Sequence, residues 1–207
     1  MNLASNPPES VLWELTFQIQ ALLQTEGFLT KVPPFSENAQ PALADFLKEW
    51  SDRILPGTTW PAWDGPVSAP VLLIAPSLTS DEKQYARKWF ENDKLRILFD
   101  QTFLVHFWPP LSDEDARLYF TQLIDQIKPQ ILFSLGPQPA AKLLQAPPSL
   151  DTLRSGEFPF ANIPLLTTYH PSALLALPSE SPALAPLKAQ VWRDAQRLVA
   201  KLKTVVA

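Results

Sequence analysis

The sequence predicts an α/β protein of three layers, α/β/α, with an open and mainly parallel sheet and a helical N-terminal extension. Three observations lead there. Short apolar runs alternate with amphipathic helical segments from residue 70 onward. The runs Val71-Leu72-Leu73-Ile74 and Ile131–Leu135 are apolar on both sides, as strands covered on both faces must be. The 207 residues are 46% hydrophobic, enough to bury a core without staples.

Residues 1–9 are polar and end in Pro7-Pro8, a frayed start. Ser10 can cap a helix whose Leu12, Leu15, Ile19, Leu22 and Leu23 share one face, with Gly27 just past its end. A second helix is expected from Pro41 to Ile54, with Leu43, Phe46, Leu47, Trp50 and Ile54 on one side. Residues 55–69 carry Pro, Gly and Trp and read as a long loop. The division expected is a helical extension over 1–69 and an α/β domain over 70–207.

In the second part Val71–Ile74 is a strand. Thr79-Ser80-Asp81-Glu82 is a capping box that opens a helix to Asn92. Arg96–Phe99 and Phe103–Phe107 are expected strands. Ser112 opens a helix to Ile127, and Asp113, Glu114 and Asp115 in its first turn favour the helix dipole. Ile131–Leu135 is a strand ended by Gly136-Pro137, and a short helix covers Pro139–Gln145. Ile163–Thr168 is the last strand, followed by Tyr169-His170-Pro171-Ser172, and a helix over Pro186–Lys203 closes the chain. Ligands in such folds sit beyond the carboxyl ends of the strands, so the loops after Ile74, Phe107, Leu135 and Thr168 are the candidates.

Composition excludes several function classes. With no cysteine, there is no disulfide, thiolate zinc site, cysteine-ligated cluster or cysteine nucleophile. With two histidines, a metal site would depend on carboxylates, and none is expected; nor is a cofactor. Glycine-rich phosphate loops are missing. A net charge of -4 and a pI near 5.2 argue against a broad basic surface for nucleic acid. The start has no signal-peptide pattern and no apolar run reaches membrane-spanning length, so a soluble, cytoplasmic protein without membrane contact is expected.

The sharpest local signal is Thr168-Tyr169-His170-Pro171-Ser172-Ala173-Leu174-Leu175 after a strand. On its own, a histidine there reads as a polar loop residue or a helix cap. The run His170–Leu175, however, resembles the second signature motif of uracil-DNA glycosylases, especially the iron–sulfur type. Ile124–Gly136 resembles that family's helix, Lys-Pro, strand and Leu-Gly segment, and Pro139–Leu144 its small-residue helix. Arg154-Ser155-Gly156 resembles its Arg-Gly turn, and the terminal helix with Trp192, Arg193, Asp194 and Leu198 also fits. Ile74-Ala75-Pro76-Ser77 resembles a remnant of the first motif, Gly-Glu-Ala-Pro-Gly. The resemblance covers residues 70–203 and is most specific over 124–176.

The resemblance implies an enzyme that flips uracil from the helix and reads it in a tight pocket. The histidine stabilises charge on the departing base, an acidic or polar residue of the first motif positions water, and an asparagine reads the base edge. Carried over by position, His170 keeps the histidine, and Pro171, Ser172, Ala173 and Leu174 keep the loop that presses on DNA. The glutamate position falls on Ile74 and the flanking glycines on Leu73 and Ser77. Aligning Pro109-Pro110 with the family's Pro-Pro puts the asparagine near Phe103, and the cluster cysteines near Phe107 and Ala116. Losing a positioned acid costs roughly 10²–10⁴ in rate and losing a charge-stabilising donor about 10²–10³.

Three readings follow. The leading one is a non-catalytic protein-interaction subunit in DNA replication or repair. It is similar in kind to the psi subunits of the DNA polymerase III clamp-loader assembly, with clamp-loader subunits as expected partners. The alternative is a divergent glycosylase that excises uracil or another damaged base with His170. The third is a DNA-binding relic without chemistry, with Arg154, Lys142 and Lys128 as its basic residues. Partner-binding candidates are Leu12, Trp13, Leu15 and Ile19 on the first helix, and Trp60 and Trp63 in the loop. Core packing is the favoured reading of the same residues, with partner binding as the alternative. His106, within an expected strand, reads as structural.

Overall fold

The computed structural model describes residues 39–54, 65–76, 78–91, 102–107 and 112–206. The helix expected over 10–27, the strand over 96–99, and Ser77, Trp60 and Trp63 lie outside the described residues. In chain order the elements are α1 (Ala39–Ile54), β1 (Val71–Pro76), α2 (Ser80–Glu91), β2 (Thr102–Phe107), α3 (Asp113–Ile127) and β3 (Ile131–Leu135). They continue as α4 (Pro137–Leu144), α5 (Leu150–Ser155), β4 (Phe158–Phe160), β5 (Ile163–Thr168), α6 (Pro171–Leu175) and α7 (Leu184–Val206).

The strands form one sheet in the order β2-β1-β3-β5-β4. Four are parallel, and β4 pairs antiparallel with β5 at the edge. Alternation along β1 splits the core in two. Leu72 and Ile74 join Phe103, Val105, Leu132 and Leu165 on the face covered by α1, α3, α4 and α5. Val71, Leu73 and Ala75 join Leu104, Phe133 and Leu135 on the face covered by α2 and α7. The sheet is therefore a middle layer between two helical ones, and its strands are apolar on both sides because both sides are buried.

Local chemistry sets the helix boundaries. At α2 both bonds of the capping box form. The Thr79 amide donates to Glu82 Oε2 at 2.8 Å, and the Glu82 amide to Thr79 Oγ1 at 3.3 Å. At α3, Ser112 Oγ accepts from the Asp115 amide at 3.0 Å, and Lys128 ends the helix in a left-handed conformation, φ 52°. The same stop at the end of α4 is made by Gln145, φ 53°. In a chain with 5 glycines, other residues take these positions. The helix α1 is tied to α3 by stacking of Phe46 on Tyr119, centroids 5.6 Å apart, and by a hydrogen bond from Trp50 Nε1 to Gln122 Oε1 at 3.0 Å.

Three elements were not expected. Residues 171–175, expected as a loop after His170, form α6, with Pro171 at its first position. Residues 150–155 form α5, whose cap Ser149 accepts from the Thr152 amide. Residues 158–160 form β4, joined to β5 through Ala161 and Asn162, both at positive φ (48° and 63°). Those angles describe a two-residue hairpin turn of the mirror-image type, whose usual glycine is missing here. Pro159 is tolerated because β4 is an edge strand.

Because β1 has β2 on one side and β3 on the other, the winding direction reverses between β1 and β3. The carboxyl ends of these strands flank the crevice in which such sheets bind ligands.

Candidate functional site

The loops leaving β1, β3 and β5 bring Glu82, Gly136, His170 and Ser172 to this end of the sheet. Gly136 follows β3 with φ 94°. Its amide donates to the Thr168 carbonyl at 2.9 Å, and its carbonyl accepts from Ser134 Oγ at 2.7 Å. A Cβ built on Gly136 would stand 3.2 Å from His170 Cβ. Glycine is thus required twice, by the backbone angle and by the close approach of the histidine. Gly136→Ala is expected to lose about 1–3 kcal/mol through the strained angle and to displace His170. Denaturant unfolding and the His170 imidazole NMR signals measure the two effects.

His170 sits in extended conformation as the N-cap of α6. Its Nδ1 accepts from the Ser172 amide at 3.3 Å and lies 2.7 Å from Ser172 Oγ. An Nδ1 that accepts a backbone N–H carries no proton, so these partners assign the neutral ring's proton to Nε2. That Nε2 is buried and has no hydrogen-bond partner. Burial lowers the pKa of His170 below its ordinary value, and the carboxylate of Glu82 opposes the shift. Glu82 Oε1 lies 3.9 Å from Nδ1, and both side chains are less than one-fifth exposed.

The arrangement has a definite chemical limit. Ser172 and Glu82 converge on the same ring nitrogen, whereas a nucleophile–base–acid relay needs them on opposite nitrogens. What the ring offers elsewhere is a neutral N–H donor. Among the described residues, no group of three or more His, Cys, Asp or Glu could hold a metal ion. No helix among them is long and apolar enough to cross a membrane.

The structure brings some of the expected site residues together and separates others. Gly136 meets His170. Pro171 and Leu174 are buried beneath α6, Ala173 is half-buried, and Ser172 is exposed. Ile74, Ala75 and Pro76 belong to β1, which runs on to pair Pro76 with Phe107, so the loop expected after Ile74 begins only after Pro76. Ile74 and Phe103 are fully buried on the face covered by α1, α3, α4 and α5. His106 pairs with Ala75 in the sheet.

Two of the three expected basic residues, Arg154 and Lys142, face acidic partners, and Lys128 is exposed at the end of α3. Arg154 donates from Nε and Nη2 to the Asp194 carboxylate at 2.8 and 3.0 Å, and from Nη1 to Gln190 Oε1 at 3.0 Å. Its guanidinium also lies over the Tyr169 ring, 4.6 Å from the centroid. Lys142 stands 3.7 Å from Asp113. Sequence reasoning took Glu82 as a cap alone. The missed signal was its place, in the first turn of the helix that follows β1 at the winding reversal. Comparison with known proteins found no family model and no curated protein that matches this chain.

Proposed function

We propose that this chain is a uracil-DNA-glycosylase-like domain that has given up base excision and acts as a protein-interaction subunit in DNA replication or repair, on the pattern of the psi subunits. The observation that carries the reading is the burial of Ile74 and Phe103, the positions matching the family's water-positioning and base-reading residues. An isoleucine cannot orient water and a phenylalanine cannot pair with a base edge. Both face helices across the core. The commitment of Arg154 to Asp194 further weakens a phosphate-binding role for that residue.

A divergent glycosylase is the second reading, and one observation favours it. The buried, unpartnered Nε2 of His170 is the donor such chemistry would use, and leaving it unpaired costs about 1–3 kcal/mol.

The test has two arms. The full chain, tagged at native level in its own host, is expected to co-purify with clamp-loader or other replication and repair subunits. Incubated in excess with uracil- or hypoxanthine-containing oligonucleotides, it is expected to release no base. Base release that His170→Ala abolishes would establish the second reading in place of the first. A purification that returns no replication or repair protein would sink the first by itself.

A further inference from the structure

Two helix caps meet at one imidazole. The capping box of α2 fixes Glu82 Oε2 against the Thr79 amide and leaves Oε1 turned toward His170, 3.9 Å from Nδ1. The cap of α6 uses that same Nδ1 as acceptor for the Ser172 amide. A nitrogen that accepts in one protonation state must donate in the other, so the two caps compete for it.

Among the described residues, Glu82 is the carboxylate placed to answer a charge on His170. On the α7 side, Asp194 is neutralised by Arg154, and Gln190 is engaged by Arg154 and by the Tyr169 hydroxyl. Tyr169 lies under the Arg154 guanidinium. The ends of β1 and β3 present Ala75, Pro76, Ser134, Leu135 and Gly136, none of which titrates. Pro171, Ala173 and Leu174 of α6 do not titrate either, and α2 contributes Glu82.

We propose that His170 and Glu82 form a proton-operated latch between α2 and α6: the neutral ring caps α6 through Nδ1, and the protonated ring releases that cap to donate from Nδ1 to the Glu82 carboxylate. Atoms balance with one proton taken from solvent; the Ser172 amide loses its acceptor, the Ser172 hydroxyl turns its own proton away from Nδ1, and Glu82 Oε1 gains a donor. The latch rests on this geometry and is independent of which reading of function holds. Folded His170 binds a proton less readily than the unfolded chain does. The stability supplied by its neutral form is therefore complete above the ordinary value of about 6.5, and is lost as pH falls through the lower folded value. Protonation destabilises the chain as a whole while tightening one contact, and the strain falls on the turn at 170–175.

The test is an NMR titration of the full chain between pH 5 and 8, with the two imidazoles told apart by a His106→Gln variant. At pH 8, His170 is expected in the Nε2–H form, with a midpoint below 6.5. Glu82→Gln keeps the capping box, since glutamine serves at that position. It is expected to lower the midpoint further, by about half a unit to one unit, because the opposite charge is gone. Protection of the Ser172 amide from exchange, corrected for its intrinsic rate, is expected to fall about fivefold to tenfold as His170 protonates, the loss of one cap. A ring protonated on Nδ1 at pH 8 would overturn the latch. So would a Glu82→Gln midpoint that stays or rises, or Ser172 protection indifferent to the titration.

Discussion

Arg154→Met is expected to destabilise the protein by about 3–5 kcal/mol, because it leaves a buried carboxylate without its partner. Asp194 is 4% exposed. It accepts three hydrogen bonds, two from Arg154 and one from Thr168 Oγ1 at 2.8 Å. The guanidinium thus joins α5, β5 and α7 at one point. Burial works against its charge, but the hydrogen bonds and charge of Asp194 outweigh burial and hold its pKa above the ordinary value. Arg197 reinforces the joint by donating to the Arg154 carbonyl and, at 2.9 Å, to the Gly156 carbonyl. In a domain of this size the loss corresponds to a fall in Tm of about 10 °C. Arg154→Lys is expected to fall between the two, since an ammonium cannot reproduce the two parallel bonds. Pairing Arg154→Met with Asp194→Leu is expected to recover part of the stability, because apolar replacement of both partners removes the uncompensated charge. Urea unfolding of the three variants measures this. A single Arg154→Met variant within about 1 kcal/mol of the parent would mean that the pair behaves as a surface ion pair.

That network also marks where sequence reasoning stops. Strands β1 and β3 were legible because a run apolar on both sides has few other places to go. The capping box at Thr79–Glu82 and the cap at Ser112 were legible because their partners lie three residues apart. Arg154 and Asp194 lie 40 residues apart, and no periodicity announces such a pair. The hairpin from β4 to β5 escaped for another reason. Its turn uses Ala161 and Asn162 where a glycine would have signalled it, and β4 is three residues long with Pro159 at its centre. At the candidate site His170 and Gly136 were found from a motif and a strand end. Glu82 was seen only as a cap, since a carboxylate has two oxygens and sequence spacing accounts for one of them. The end of β1 was set too early because Ala75 and Pro76 do not look like strand residues, yet pairing with His106 and Phe107 carries the strand through them.

Phe103→Ala is expected to cost about 3–5 kcal/mol, the range for emptying the space of a large aromatic ring in a packed core. Phe103 is fully buried, sits opposite Leu72 in the sheet and packs in the core that includes Tyr119 and Phe120. The prediction separates two meanings of its position. If the ring merely plugged a base pocket, its removal would cost little and would open a cavity that takes uracil. If the ring is core, its removal unsettles the sheet and no base binds. The second outcome is expected, and Phe103→Asn should be worse than alanine, because a buried amide without partners adds about 1–3 kcal/mol. Ile74→Glu follows the same logic more severely: it buries a carboxylate where the neighbours are Leu72, Val105 and Leu132. Placing the glycosylases' side chains at 74 and 103 would therefore unfold the domain before it conferred excision. Unfolding curves with and without uracil decide between the two meanings. A stable Phe103→Ala or Phe103→Asn variant whose midpoint rises with uracil would show a base pocket beneath the ring and favour the divergent-glycosylase reading.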